Sequence, residues 1–124
     1  MTYLVDTNIV IYLASNQFPA LVRKAQSISV GEVKLSAIVF AELALGSENG
    51  LAPRPAVLKR LLLQMPLVPF DEAAARAYAK LPFKRARLDR LLAAHALSLG
   101  AVLVTRNVSD FADIPGLRIE DWTR

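Results

Sequence analysis

Asp6, Glu42, Asp89 and Asp110 are the side chains whose type and setting point to chemistry, because each interrupts a run of apolar residues. Three of those runs read as buried strand or helix, where an unpaired carboxylate is expensive. Clustered carboxylates repel one another until a hard cation neutralises them, so a shared divalent metal would give all four a common reason. The chemistry such a site performs is metal-dependent phosphoryl transfer.

Each acid also has a plain structural use. Asp6 could cap the helix that follows it. Asn8 could be a turn residue or a donor that orients Asp6. Glu42 has no lysine or arginine within one helical turn, so a structural partner would come from another segment, Arg54 or Arg60. Asp89, at a helix start, would favour the helix dipole, the role Asp71 takes before Glu72. Asp110 follows the last core strand, where turn chemistry is an ordinary use of Asp. Their joint placement beside predicted strand ends and helix starts is what points to a site.

The elements that must position these acids follow from patterning. Tyr3 to Val5 reads as a buried strand, Thr7-Asn8 as a turn, and Ile9 to Ala14 as a helix. Pro19 suits the first turn of a second helix, Ala20 to about Ile28. Val33 to Ser36 is a short strand, and Ile38 to Leu45 a helix ended by Gly46. Ser47 to Pro55 reads as a loop, and Ala56 to Gln64 as an amphipathic helix stopped by Pro66. Leu67 to Phe70 is a brief edge strand because Pro69 lacks a donor. Asp71 begins a helix to about Leu81, the basic stretch from Pro82 to Arg87 connects, and Leu88 to Leu99 is a helix stopped by Gly100. Ala101 to Thr105 is strand-like. Alternating strands and helices imply an α/β fold with a parallel sheet of four or five strands, covered on both faces. Ligands of such sheets bind beyond the strands' carboxyl ends, where Asp6 and Thr105 fall.

Composition limits the chemistry. The 124 residues fit one domain, 1–124, with one core. There is no cysteine and one histidine, His95, so a thiolate or histidine-rich zinc site is excluded and a metal must be held by oxygen. His95 lies six residues beyond Asp89, pointing away from it at about 100° per residue, and is expected to be structural rather than a general base. The amino terminus shows no basic segment followed by a long apolar one, and no apolar run approaches the ~20 residues of a membrane span, so a cytoplasmic protein is expected. The net charge of +4 and pI near 9.8 suit a polyanionic partner.

Taken together, Leu4-Val5-Asp6-Thr7-Asn8, Ser36 with Ala41-Glu42-Leu43 and Gly46, Asp89 with Leu92-Ala93-Ala94-His95-Ala96, Val104-Thr105-Arg106-Asn107 with Asp110-Phe111, and Gly116-Leu117 with Asp121-Trp122 resemble the PIN-domain ribonucleases. Within them the chain is most similar to VapC-type toxins of bacterial toxin-antitoxin pairs. The resemblance implies a PIN-like three-layer α/β/α fold and an endoribonuclease that hydrolyses phosphodiester bonds in transfer or ribosomal RNA. It implies Asp6, Glu42 and Asp89 as Mg2+ or Mn2+ ligands, with Asp110 completing the pocket directly or through water. It further implies a homodimer and a cognate antitoxin whose tail silences the enzyme. One departure is the short stretch Ala79 to Leu88 before Asp89, where the family usually carries a longer segment with a glycine.

On this basis Thr7, Asn8, Ser36 and Thr105 are expected to orient the acids or contact phosphate. Lys84, Arg85, Arg87 and Arg90 flank Asp89 and could hold the RNA backbone, or form a solvated surface. Leu58, Leu61 and Leu62, or Ile9 and Leu13, could face a second copy or the antitoxin, although core packing is the commoner use. Two rival readings are a catalytically silent RNA-binding or regulatory domain, and a phosphatase with Asp6 as nucleophile. The latter commonly needs a second Asp two positions on, where this chain has Asn8.

Overall fold

A computed structural model describes residues 1–82, 85 and 87–124. Five parallel strands form one sheet: β1 (Tyr3–Val5), β2 (Val33–Ser36), β3 (Leu67–Val68), β4 (Val102–Val104) and β5 (Arg118–Glu120), in the order β3-β2-β1-β4-β5. The connections reverse direction between β1 and β4, so the crevice that doubly wound sheets use for ligands opens there. Register is set by the pairs Tyr3 with Val102 and Val5 with Val104. Beyond the paired strands, the Asp6 N–H donates to the Val104 carbonyl at 3.1 Å, tying the first acid to the end of β4.

The helices are α1 (Thr7–Ser15), α2 (Pro19–Gln26), α3 (Ala37–Glu48), α4 (Pro55–Gln64), α5 (Glu72–Ala79) and α6 (Arg87–Leu99). All three residues of β1 and of β4 are buried although successive side chains point to opposite faces, so both faces of the central sheet are covered. Leu4, Val5, Leu103 and Val104 meet Ile9, Val10, Val39, Leu43, Leu92, Ala93 and Ala96 in one core. Full burial stabilises each Leu, Val or Ile by about 1.5–3 kcal/mol, so the strand ends that carry the site rest on the best-packed part of the molecule. Among the described residues no helix is long and apolar enough to cross a membrane.

Several boundaries differ from those expected. Thr7 and Asn8 form no separate turn: they are the first residues of α1, because Asp6 already caps it. Gly46 does not end α3, which runs on to Glu48. The Leu51 N–H donates to the Gly46 carbonyl at 2.8 Å, so the chain folds back onto α3 there, and a Cβ on Gly46 would meet the Ala52 carbonyl oxygen at an ordinary contact distance of 3.4 Å. The expected loop thus begins after α3, and Pro55 is already helical. Helix α2 stops at Gln26 and α5 at Ala79, each short of its expected end. β3 has only two residues but lies at an edge as Pro69 required. β5, not foreseen as a strand, supplies the fifth member.

Candidate active site

Asp6 leaves β1 and caps α1, its Oδ1 accepting from the Ile9 N–H at 2.8 Å. It also accepts from the Thr105 hydroxyl and interacts with the backbone of Asn8. The cap and the site are therefore compatible uses of one carboxylate. Glu42 comes from α3, and its Oε1 accepts from the Thr7 hydroxyl at 2.9 Å, so its partner is a neighbour across the cleft rather than Arg54 or Arg60. Asp89 lies in the first turn of α6. Asp6, Thr7, Asn8, Glu42, Asp89, Leu92, Asn107 and Phe111 line one cleft of about 140 Å³, room for several water-sized groups. Three acids separated by 36 and 47 positions in sequence thus share one opening at the sheet's switch point.

Electrostatics agree with this convergence. Burial raises the Asp6 carboxyl above its ordinary range, opposed by the hydrogen bonds from Thr105 and from the Ile9 and Asn8 backbone. Asp89 is raised too, first by partial desolvation and then by repulsion from Asp6, Glu42 and Asp110. Asp110 sits on a short 3-10 turn (Val108–Phe111), exposed and outside the cleft lining, yet close enough for Asp89 to feel its charge.

The supporting residues divide. Thr7 and Thr105 each hold an acid as expected, with Thr105 fully buried and its hydroxyl also accepting from the Asn107 N–H at 3.1 Å. Asn8 is exposed on the cleft lining. Ser36 is fully buried and touches none of the acids: it caps α3 through the Ile38 N–H and bonds His95 Nδ1 at 2.8 Å. A phosphate contact from Ser36 is thereby excluded. His95 is structural, buried with its ring edge-on to Phe70.

Arg90 requires a correction. Its side chain is 2 % exposed and grips both oxygens of Asp113, at 3.0 and 2.7 Å, and the Pro82 carbonyl at 3.1 Å. A guanidinium committed in this way is a clamp between chain segments and cannot hold an RNA backbone. Arg85 and Arg87 are exposed, and Lys84 lies outside the described residues. Ile9 is core, as is most of Leu61. Asn107 was not singled out as a site residue although it lines the cleft. Its signal was its position two residues beyond Thr105, after a strand end.

The donor set is all oxygen and mutually repulsive, which fits a hard cation such as magnesium. Among the described residues no three His, Asp or Glu side chains are gathered closely enough to grip an ion as placed. Protein donors engage two of the carboxylates individually, Asp6 by Thr105 and Ile9, Glu42 by Thr7. A larger hollow of about 450 Å³ lies between α1, α2 and α4, lined by Leu13, Val22, Ile28, Val57 and Leu61. It contains no carboxylate, so the chemistry belongs to the smaller cleft.

Comparison with known proteins covers nearly the whole chain. The model of the PIN domain family matches residues 3–117. Ribonuclease VapC1 of Haemophilus influenzae is 35% identical over 135 residues, spanning 100% of both chains. The tRNA(fMet)-specific endonuclease VapC of Salmonella typhimurium is 32% identical over 131 residues, spanning 98% of both. The structure of DNA-bound VapBC from Salmonella typhimurium superposes with a TM-score of 0.84 at 30% identity, covering 98% of each chain.

Proposed function

The chain belongs to the PIN-domain family, and from that premise we propose that it is a VapC-type endoribonuclease toxin that hydrolyses RNA phosphodiester bonds with Mg2+ or Mn2+ and is restrained by an antitoxin protein. The observation that carries this is the meeting of Asp6, Glu42 and Asp89, from three different elements, in one cleft beyond the strand ends.

Asp6, Glu42 and Asp89 would hold the cation, and Asp110 adds negative charge behind Asp89. When bound, a divalent ion polarises the phosphate and lowers the pKa of water. Thr105 and Thr7 fix the carboxylates of Asp6 and Glu42 before any ligand arrives, and that prior ordering is the chain's own contribution. The Asn8 and Asn107 side chains line the opening, where an amide can hydrogen-bond a phosphate or ribose oxygen. Arg85 and Arg87 bring positive charge to the start of the helix that carries Asp89. Since water can attack the phosphate, no side-chain nucleophile is needed, and His95, buried on Ser36, is not available as a base.

The test is incubation of the purified protein with total RNA and separately with tRNA(fMet), the RNA named for the Salmonella relative. Cleavage with magnesium or manganese, loss of cleavage in a chelator, and loss in Asp6→Asn and Asp89→Asn are the expected results. Full activity in both variants would remove the assigned ligands.

A further inference from the structure

The carboxyl edge of the sheet continues past the acids. Asp6 follows β1, Thr105 follows β4 with its N–H donating to the Glu120 carbonyl at 3.1 Å, and Asp121 follows β5. Neighbouring strands are roughly 4.8 Å apart, so the segment after β4 lies immediately beside the acidic cleft, which Asn107 lines. Arg106 sits between them, exposed.

The Arg106 side chain lies with its guanidinium over an aromatic ring. Its guanidinium carbon lies 5.0 Å from the centre of the Phe18 ring, and Phe18 is in turn edge-to-face with Tyr12 at 4.8 Å. Both rings are half-buried against the core, which makes them a firm base. Asp121 attracts Arg106 from the β5 side and is itself gripped by the Thr123 N–H at 2.9 Å and the Thr123 hydroxyl at 2.5 Å. Further along, the surface dips into a hollow of about 360 Å³ lined by Ala20, Lys24, Glu120, Asp121, Trp122 and Arg124.

A free arginine loses about 2 kcal/mol of rotamer freedom when fixed. Covering Phe18 is one use of such a side chain. Its place is the second consideration. A cleft full of carboxylates repels a polyanion, so a strand can cross it only with attractive contacts on the flanks. We propose that the Arg106 guanidinium, backed by Phe18, is a stacking site for a nucleobase that flanks the bond to be cut. Guanidinium planes and aromatic rings are the surfaces on which splayed single-stranded bases settle. The site rests on the ribonuclease function proposed above and adds a base-binding element to it.

The experiment compares two labelled probes, an octaadenylate and a ribose-phosphate chain of the same length without bases, by fluorescence anisotropy in magnesium. The host is Asp89→Asn, in which loss of a proposed metal ligand is expected to leave the probes uncut. One stacked base is worth about fivefold in affinity or more, so the host should prefer octaadenylate by at least about that factor. Arg106→Lys keeps the charge but loses the plane. It should reduce the preference about fivefold and leave affinity for the baseless chain nearly unchanged. Phe18→Leu, which removes the backing ring, should reduce the preference in the same direction, and thermal melts check that each variant is folded. A preference untouched by Arg106→Lys overturns the site, as does an equal loss for both probes, which would mark a phosphate contact only. If the host binds neither probe and the parent cuts no RNA, the ribonuclease function falls and the stacking site with it. Cleavage by the parent together with an unmoved preference removes the stacking site alone.

Discussion

The Arg90–Asp113 clamp allows a prediction with a direction and a size. Arg90 is 2 % exposed and Asp113 30 %, so the two halves of the pair are desolvated to very different degrees. Removing the charge of Asp113 strands a buried guanidinium with the Pro82 carbonyl as its remaining partner in the clamp. Breaking a buried pair in that sense costs about 3–5 kcal/mol. At about 2.1 cal/mol/K of unfolding entropy per residue, the 124-residue chain should lose roughly 12–19 °C in melting temperature. Removing Arg90 instead, as Arg90→Met, leaves a carboxylate that water can reach and a flexible apolar side chain that refills the space. That cost should be smaller, about 1.5–3 kcal/mol, the worth of a hydrogen bond to a charged group.

Urea unfolding of Asp113→Asn, Arg90→Met and the double variant at pH 7 tests this order, with equal m-values required for the comparison. The double variant should be less destabilised than the two single losses added together, by about 0.5–3 kcal/mol. If Arg90→Met proves the more damaging change, or if the losses are additive, the asymmetry of desolvation does not govern this pair.

Two pH predictions follow from the groups that desolvation shifts, Asp89 and His95. Asp89 has its folded pKa raised, so its contribution to stability is fully present below the ordinary carboxyl range and is lost as pH rises through the folded value. Asp89→Asn should therefore melt higher than the parent at pH 7.5 in chelator, with the gain fading toward pH 4; an equal or lower melting temperature at pH 7.5 would show that the repulsion is absent. His95 is shifted the other way, because burial pushes its imidazole below the usual range. The unfolded chain then binds the extra proton first, and stability is lost as pH falls below about 6.5. His95→Gln should flatten the stability profile between pH 7 and 5, measured by urea midpoints, and a profile as steep as the parent's would mean that another group is responsible.

The elements that place the acids were legible wherever local chemistry and tertiary packing agree. Tyr3 to Val5 is a strand where a short apolar run ends at Asp6, Val33 to Ser36 alternates apolar and polar residues, and Gly100 stops α6 with φ +62, a conformation that glycine tolerates. Gly46 misled because α3 continues past it, and the turn that follows is closed by the Leu51 N–H donating back to the Gly46 carbonyl rather than by the glycine itself. Arg90 misled for a related reason. One residue from Asp89, it looked like part of a basic surface, but only the fold brings Asp113, 23 positions later, onto it. β5 is a partly exposed edge of three residues, too short for alternation to declare itself.

The pairing of Asp6 with Thr105 and of Glu42 with Thr7 shows how the chain holds two carboxylates on one cleft through hydroxyl donors. Each threonine is anchored by an element independent of the acid it serves. Thr105 closes β4 and accepts from Asn107, while Thr7 opens α1. Among the described residues no hydroxyl holds Asp89 in this way, and it is the acid on which repulsion from the other three converges. Its position depends instead on the start of α6, which the neighbouring Arg90 ties to Asp113, three residues beyond Asp110. The clamp therefore bears on the distance between Asp89 and Asp110, the two acids held least directly. Two acids are thus held by hydroxyls, while Asp89, on the cleft, and Asp110, outside its lining, have their positions set by a distant ion pair.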